Sequence, residues 1–381
     1  MIRVAQVATS AMSIRLLLLD HIERLREEGY EVEAVCAPDP SLEEVAARGI
    51  PVHTVPFRRD LAPVADIRSL GALRRLFARR RYHVVHSHTP KAGILAPLAA
   101  RRAGTPLILH TVHGLLFHDR SMPAQKVLGR AAETWTGRLA HRLLSQSRED
   151  IEVALRYRIC PPGRIDYIGN GIDVSRFSRE ALPDARAERR AELGFDDDTV
   201  VVGMVGRLVE EKGFVDFFGA MARVMESRPH VRILLIAPHD PGQADEIDPE
   251  RLLAMVDRQR VVHLGFRADL PELYAAMDVF ALPSYREGLP RTPLEAAAME
   301  VPVVASNIRG CREAVVDGVT GLLVEPRSPG PLAAAIASLV DDAATRGQMG
   351  KAGREHVARE FDARAVLDRL ADYYRRVVGP P

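Results

Sequence analysis

The chain has 381 residues, 47% hydrophobic and 27% charged, which excludes a disordered or collagen-like protein and, at about 150 residues per domain, predicts two or three domains. The formal net charge of +1 gives no nucleic-acid-binding signature, no run approaches the roughly 20 apolar residues that span a bilayer, and the N-terminus lacks the pattern of a signal peptide. Three widely spaced cysteines are typical of free thiols in a reducing cytosol, so we expect a cytoplasmic protein.

Short apolar runs alternate with helical patterns through the first half of the chain. The predicted strands are 3–9, 31–36, 52–55, 83–86, 107–112 and 143–145, and the predicted helices are 14–28, 67–80, 92–103, 124–141 and 149–157. Strands that alternate with helices predict βαβ units and a parallel sheet.

The second half repeats this alternation. Its predicted strands are 200–205, 231–236, 261–264, 279–282 and 301–305, and its predicted helices are 214–226, 249–257, 271–277, 293–299 and 331–341. We therefore predict two doubly wound domains with a boundary near residue 170, and ligands at the carboxyl ends of their strands, in a cleft between the domains. The first strand–helix turn lacks a glycine triplet, which argues against a dinucleotide-binding dehydrogenase.

Two cations follow the first predicted strand of the second half. Arg207 and Lys212 lie in a loop that begins with Gly206. A glycine lets a ligand approach the backbone, and two cations can clamp a diphosphate. The alternative is a solvated loop in which Glu210 and Glu211 pair with the two cations.

Two carboxylates, Glu287 and Glu295, lie eight positions apart across a Gly-Leu-Pro turn. Thr292, Pro293 and Glu295 match a capping box, so spacing alone favours a structural role for Glu295. A helix N-terminus is also an anion-binding site. Glu287 lies in the turn and has no comparable structural role.

Nine of the thirteen histidines lie in residues 1–170. His86 and His88 end one predicted strand and His113 ends another, where His113 favours a substrate contact. The alternative for His86 and His88 is a hydrogen-bonded strand-end position. A His-x-His metal site would need later ligands that are scarce here, so we predict no metal site, and we interpret the acidic run 196–198 as a solvated loop.

The charge is unevenly distributed, since residues 1–170 carry 25 Lys and Arg against 17 Asp and Glu. This excess predicts an anionic surface or partner. The helical segment 66–82 carries six arginines and is amphipathic, so it can contact anionic lipid, with Leu73 and Phe77 as anchors if they are exposed. A sheet-covering helix with a charged outer face is the slightly favoured alternative.

Taken together, these segments resemble the family-4 retaining glycosyltransferases of GT-B fold, over nearly the whole chain and in the same order. The resemblance rests on Gly-Arg-Leu…Glu-Lys-Gly at 206–213, Glu-x7-Glu at 287–295, His-Gly at 113–114, Asn-Gly-Ile-Asp at 170–173 with Phe177, and the runs 309–313 and 317–322. The run 86–93 resembles a subgroup of capsule, exopolysaccharide and lipid-linked oligosaccharide pathways.

The resemblance implies an α/β protein with two Rossmann-like domains facing each other across a cleft. Residues 1–170 would bind the acceptor, residues 171–361 the nucleotide-sugar donor, and residues 362–381 would form a helix that packs back on the first domain. It implies retaining, metal-independent transfer from a nucleotide-diphosphate sugar, with UDP favoured, to a glycan or polyprenyl-diphosphate-linked acceptor in cell-surface polysaccharide synthesis. No cofactor and no nucleic acid would take part, and the protein would lie peripherally on the inner face of the membrane. A nucleotide-sugar epimerase of similar fold is the alternative.

The resemblance also assigns roles to residues. Arg207 and Lys212 would hold the diphosphate and stabilise the leaving nucleotide, Glu287 would contact the donor sugar, and Glu295 would bind the ribose instead of capping its helix. His113 would contact the transferred sugar or support the positive charge that develops at its anomeric carbon. The backbone of Gly288, Leu289, Pro290 and Leu294 would meet the donor, and Ser10, Met12, Ser13, His86, His88 and Asn170 would line the acceptor side or the cleft.

Overall fold

The computed structural model describes residues 1–58, 60, 62–118, 121–238 and 245–381. The chain folds into two compact units, one formed by Met1–Gly169 with Arg364–Pro381 and the other by Asn170–Ala363. Each unit holds one sheet in which every described strand pair is parallel, with helices packed on both faces. The predicted α/β fold with two parallel sheets is confirmed.

The first unit is built on a seven-stranded sheet in the order β3-β2-β1-β4-β5-β6-β7. Its strands are β1 (Arg3–Ser10), β2 (Glu31–Ala37), β3 (Val52–Thr54), β4 (Val84–Ser87), β5 (Leu107–Val112), β6 (Arg142–Ser145) and β7 (Ile165–Tyr167). Its helices are α1 (Ala11–Leu17), α2 (Leu19–Glu27), α3 (Leu42–Ala47), α4 (Pro63–Arg80), α5 (Pro90–Ala103), α6 (Pro123–Leu139) and α7 (Arg148–Arg156).

The second unit is built on a six-stranded sheet in the order β10-β9-β8-β11-β12-β13. Its strands are β8 (Val200–Val205), β9 (Val231–Ile236), β10 (Val261–Leu264), β11 (Val279–Leu282), β12 (Val303–Ser306) and β13 (Gly321–Val324). Its helices are α8 (Ala185–Glu192), α9 (Phe214–Glu226), α10 (Pro249–Leu253), α11 (Leu270–Ala275), α12 (Arg291–Ala298), α13 (Cys311–Ala314), α14 (Pro329–Asp341) and α15 (Ala343–Glu360). The last helix, α16 (Ala363–Val377), contributes its buried residues to the first unit.

Two apolar layers sandwich the sheet of the first unit. Helices α4 and α5 pack on one face through residues such as Leu73, Phe77 and Ala96. Helices α1, α2 and α16 cover the other face through residues such as Ile14 and Tyr374. Leu73 and Phe77 are 0% and 1% exposed, so their interpretation as membrane anchors is wrong.

Helix α15 is the longest segment that the apolar pattern missed. Gly350 and Gly353 are buried in it, and a Cβ at Gly350 would lie 2.2 Å from the carbonyl oxygen of Glu300. The helix therefore packs with its backbone against other backbone. Because glycines take the place of large apolar side chains on its buried side, the sequence shows little of the apolar periodicity that predicts a helix. Within the described residues, no helix is long and apolar enough to cross a membrane.

Candidate functional site

The carboxyl edge of the second sheet carries the predicted donor residues. Strand order reverses between β8 and β11, which lie side by side although three strands apart in number. Ligands of doubly wound sheets bind outside the strand ends at such a reversal. The loop after β8 carries Arg207 and Lys212, and the loop after β11 carries Glu287.

Lys212 and Glu287 join these two loops. The Lys212 Nζ atom donates to Glu287 Oε1 at 2.7 Å, and the two side chains are 19% and 10% exposed. Gly213 makes the approach of the loops possible, because its φ is +77° and a Cβ there would lie 2.1 Å from the carbonyl oxygen of Pro283. Since a lysine ammonium has three donors, the pair fixes Lys212 while it leaves further N–H groups for a ligand.

Arg207 is the more exposed cation of the loop. Its side chain is 46% exposed and its Nη2 atom lies 3.9 Å from Glu211 Oε1. Glu211 in turn accepts a hydrogen bond from Arg286 at 2.9 Å. The alternative in which the glutamates of the loop pair with its own cations therefore applies to Arg207 and Glu211. Lys212 instead pairs with Glu287 in the neighbouring loop.

Glu295 is a buried carboxylate on α12. This helix begins at Arg291 with Pro290 at its N-cap, so the predicted capping box with Thr292 at the N-cap is wrong. Pro293 is tolerated at the third helical position, because the first-turn amides have no partner inside a helix. Glu295 Oε2 accepts from the Tyr274 hydroxyl at 3.1 Å, and its Oε1 lies 3.7 Å from Arg291 Nε.

The surroundings of Glu295 act on its charge in opposite directions. Burial raises the pKa of Glu295 above its ordinary value, and the Arg291 guanidinium and the Tyr274 hydroxyl lower it. Burial and the adjacent carboxylate raise the pKa of Tyr274 well above its ordinary value, so this hydroxyl keeps its proton and donates. The result is a carboxylate held in a single orientation at the start of α12.

The turn 288–290 is held in place from two sides. A Cβ at Gly310, where φ is +76°, would lie 1.6 Å from the carbonyl oxygen of Gly288, so only glycine lets the two loops touch. Asn170 Nδ2 donates to the carbonyl oxygen of Leu289 at 3.1 Å. This packing places Pro290 and the free first-turn amides of α12 at the carboxyl edge, where anions bind helix N-termini.

Two serine hydroxyls at this edge were not predicted from the sequence. Ser284 follows β11 and Ser306 ends β12, and neither buried hydroxyl has a hydrogen-bond partner among the described residues. Buried hydroxyls are nearly always bonded, so both are candidate ligand contacts. Their position at or just beyond the carboxyl ends of apolar strands was the available signal in the sequence.

In the first unit, the turn after β1 caps a helix. The Ser10 Oγ atom accepts from the Ser13 amide at 3.2 Å and lies 2.9 Å from Ser13 Oγ. The Met12 amide donates to Asp39 Oδ2 at 2.9 Å, and the Met12 side chain is exposed. These contacts account for the turn without glycine, and the acceptor role of the three residues stays a prediction.

A chain of hydrogen bonds fixes the protonation of His86. Gln6 Nε2 donates to the Tyr374 hydroxyl at 3.1 Å, so this hydroxyl donates to His86 Nδ1 at 2.7 Å. The proton of His86 is then on Nε2, which donates to Thr111 Oγ1 at 2.7 Å. Both ring nitrogens of His86 have hydrogen-bond partners inside the protein. This favours the alternative that His86 is a hydrogen-bonded residue at the end of its strand.

The same chain continues through His88 to His113. His88 Nε2 donates to Gln6 Oε1 at 2.7 Å, so His88 Nδ1 accepts from His113 Nε2 at 3.1 Å. Burial lowers the pKa of His88 well below its ordinary value and that of His113 to about 4, so both rings are neutral at pH 7. The Nδ1 atom of His113 is then unprotonated and buried, and an interaction with the Gln146 side chain raises the pKa of the ring against the larger lowering by burial.

Metal ligands are not evident in the part of the chain that the structure describes. Within residues 1–58, 60, 62–118, 121–238 and 245–381, no three His, Cys, Asp or Glu side chains converge as ligands would. The charged groups at the carboxyl edge of the second sheet include Lys212, Arg207, Glu287 and Glu295.

Comparison with known proteins identifies both halves of the chain. Residues 17–171 match the glycosyl transferase 4-like domain, and residues 185–356 match the glycosyl transferases group 1 family. Over 362 residues the chain is 28% identical to the UDP-Gal:alpha-D-GlcNAc-diphosphoundecaprenol alpha-1,3-galactosyltransferase of Escherichia coli, covering 95% of this chain and 93% of that protein.

Two further comparisons agree. A D-inositol 3-phosphate glycosyltransferase of Segniliparus rotundus is 31% identical, over 88% of this chain and 77% of that protein. The crystal structure of Anabaena Alr3699/HepE in complex with UDP and glucose superimposes with a TM-score of 0.84 at 22% identity, over 99% of this chain and all of that one, and shows the same fold. The Escherichia coli and Segniliparus rotundus relatives are named as transferases and lend no support to the epimerase alternative. The chain belongs to the group 1 glycosyltransferases and is a glycosyltransferase of GT-B fold.

Proposed function

We propose that the protein transfers a sugar from a UDP-sugar to a lipid-linked saccharide, with retention of anomeric configuration and without a metal ion, in the synthesis of a cell-surface polysaccharide. The name of the Escherichia coli relative includes a UDP-linked donor and a diphosphoundecaprenol acceptor, and the Anabaena structure contains UDP and glucose. The observation that carries the proposal is the Lys212–Glu287 pair at the strand-order reversal.

The donor diphosphate lies against Lys212 and Arg207 in this proposal. These cations, with the first-turn amides of α12, supply the positive charge that stabilises the departing UDP. Glu287 holds Lys212 through Oε1 and keeps Oε2 for a hydroxyl of the donor sugar. Glu295 accepts hydrogen bonds from the ribose hydroxyls, since a carboxylate is a strong acceptor for paired hydroxyl donors.

The reaction follows a same-face course in this proposal. The bond between the anomeric carbon and the phosphate oxygen breaks, the acceptor oxygen bonds to that carbon on the same face, and the acceptor proton passes to the departing phosphate. His113 contacts the transferred sugar or supports the positive charge that develops at its anomeric carbon, as a neutral ring whose Nε2 atom is held by His88. This course needs no protein nucleophile.

A lipid-linked acceptor requires the protein to work at a membrane surface. We place it in the cytoplasm, peripherally on the inner face of the membrane. The first unit carries 29 basic and 19 acidic side chains, and Arg68, Arg74, Arg75 and Arg79 of α4 are exposed. Anionic lipid attracts such residues by about 1 kcal/mol for each arginine near the surface.

Lys212→Ala tests the donor site. We expect UDP affinity to fall by about 10–150-fold, which corresponds to the loss of one charge-assisted contact, and sugar transfer to fall at least as far. Lys351→Ala removes an exposed lysine of the same unit and serves as the matched control. Calorimetry with UDP, thermal stabilisation by a panel of nucleotide sugars, and the anomeric configuration of the product by NMR are the measurements. Unchanged UDP affinity in Lys212→Ala, loss of activity in EDTA, or an inverted product would contradict the proposal.

A further inference from the structure

Helix α6 has its apolar side chains on the wrong side for a helix that covers a sheet. Such a helix normally turns large apolar residues toward the core. In α6 the residues that face the protein include Gly129, Glu133, Thr136 and Gly137. Leu139, the last residue of the helix, is also buried, but the other large apolar residues face solvent, with Val127 and Leu128 each 71% exposed and Trp135 50% exposed.

The contacts of the buried side fix this orientation. A Cβ at Gly137 would lie 2.4 Å from the carbonyl oxygen of Ile159, and a Cβ at Gly129 would lie 3.2 Å from that of Leu116. Glu133 accepts a hydrogen bond from the Leu116 amide at 3.0 Å. Rotating the helix to bury Leu128 would break this bond and bring larger side chains against backbone, so the apolar side stays exposed.

The exposed residues form one continuous stripe. At about 100° per residue, positions 124, 127, 128, 131 and 135 fall within an arc of about 100°. Arg138 is exposed within the arc of this stripe near the end of the helix, and Arg130 is exposed at its border, with its guanidinium 5.2 Å from the centre of the Tyr157 ring. The one carboxylate of the helix, Glu133, is buried. An exposed apolar stripe with a tryptophan and nearby cations is the pattern of a helix that lies in a bilayer interface.

We propose that α6 lies on the surface of an anionic bilayer, with Val127, Leu128 and Trp135 between the acyl chains and Arg130 and Arg138 at the lipid phosphates. The proposal rests on the lipid-linked acceptor of the proposed function and names the element that reaches the membrane. The charges favour lipid over a second copy of the chain. A symmetric pairing through this face would bring like cations together without the carboxylates that could neutralise them.

The fluorescence of Trp135 tests this directly, because it is the one tryptophan of the chain. On addition of vesicles that contain phosphatidylglycerol, we expect its emission to shift to the blue and to be quenched by brominated acyl chains. Vesicles of phosphatidylcholine alone should produce a smaller shift. Emission that anionic vesicles leave unchanged would overturn the proposal, and so would a blue shift that grows with protein concentration without lipid, which would indicate a second copy.

Two matched double variants distinguish the contribution of α6 to membrane binding from that of α4. Val127→Ser with Leu128→Ser should weaken partitioning into anionic vesicles by about tenfold for each side chain that no longer inserts. Val64→Ser with Ile67→Ser on α4 removes residues of equal exposure, 68% and 71%, and should leave partitioning unchanged. Equal weakening by both pairs would overturn the assignment to α6.

The failure of this proposal can be told from the failure of the proposed function. The α6 variant should keep wild-type UDP affinity and wild-type transfer to a short-chain, water-soluble acceptor, and lose transfer to an acceptor embedded in vesicles. Transfer to embedded acceptor without a Trp135 shift would overturn the α6 surface alone. A Trp135 shift without transfer from any UDP-sugar would overturn the function and leave the surface in place.

Discussion

Glu295 is a carboxylate that the protein encloses and orients before any ligand binds. Only 7% of the residue is exposed, and Tyr274 and Arg291 contact its two oxygens. A buried carboxylate costs several kcal/mol in desolvation unless it is well paired, so an aliphatic or amide side chain would be the cheaper choice for stability alone. This cost is the physical reason to expect a ligand-binding role.

Glu295→Gln separates ligand binding from structure. Glutamine keeps the shape and still accepts from Tyr274, but it replaces a charge-assisted acceptor for the ribose by a neutral one. We expect UDP affinity to fall by about tenfold or more, while the melting temperature changes little. Glu355→Gln, an exposed site on α15, is the control. Wild-type UDP affinity together with a lowered melting temperature would show that Glu295 is structural.

Helix α4 shows how one element combines structural and surface roles. Its inner side is core, while Arg74, Arg75 and Arg79 point to solvent. Arg80 differs from them, because it is half-buried and bonded to the buried carboxylate of Glu33. A charge-reversal test should therefore leave Arg80 in place, since its loss would leave Glu33 without its arginine.

Reversing Arg74, Arg75 and Arg79 to glutamate tests the electrostatic part of membrane contact. We expect wild-type protein to float with anionic liposomes at low salt and to be released progressively as ionic strength rises past about 0.15 M, where the screening length is about 8 Å. The triple variant should not float, and its UDP affinity should equal that of wild type. Equal recovery of the variant and wild type would identify these arginines as ordinary solvated surface.

At the scale of the whole molecule, the histidines whose pKa is lowered most all lie in the first unit. Burial lowers the pKa of His86 and His88 well below the ordinary value, that of His110 to about 3 and that of His113 to about 4. In the unfolded chain these side chains titrate near 6.5. Below that pH these histidines are protonated in the unfolded state but stay neutral in the folded state. The free energy of unfolding therefore decreases as the pH falls.

The first unit should therefore lose stability steeply between pH 6.5 and about pH 4. The contribution of the neutral histidines to the free energy of unfolding is fully present above pH 6.5. Below pH 6.5, each of these histidines lowers the free energy of unfolding by up to about 1.4 kcal/mol per pH unit. Urea unfolding followed by Trp135 emission, which reports the first unit, measures this slope. His230→Gln, an exposed site in the second unit, should leave the slope unchanged. A free energy of unfolding that is flat between pH 6.5 and pH 4.5 would contradict the buried neutral histidines.

Local patterns in the sequence were enough for the architecture and for most elements. Strands β8, β9, β10 and β11 and helix α9 have the predicted bounds, because a run of apolar residues in a strand or a helix is a property of neighbouring positions. Short β7 and glycine-containing α15 were missed, since neither shows such a run. The predicted helix 14–28 is divided at Leu18 into α1 and α2.

The sequence by itself determined which residues are available for donor chemistry, and the tertiary structure decided how they are arranged. Lys212 and Glu287 are 75 positions apart, and Gln6 and Tyr374 are 368 apart, so no local pattern could show that they bond. Tertiary packing also set the N-cap of α12 at Pro290 and turned the apolar side of α6 to solvent. In each case a contact between distant segments decides the arrangement, such as a glycine packed against a carbonyl oxygen or a buried hydrogen bond. The free energy of that contact outweighs the local conformational preference of the residues.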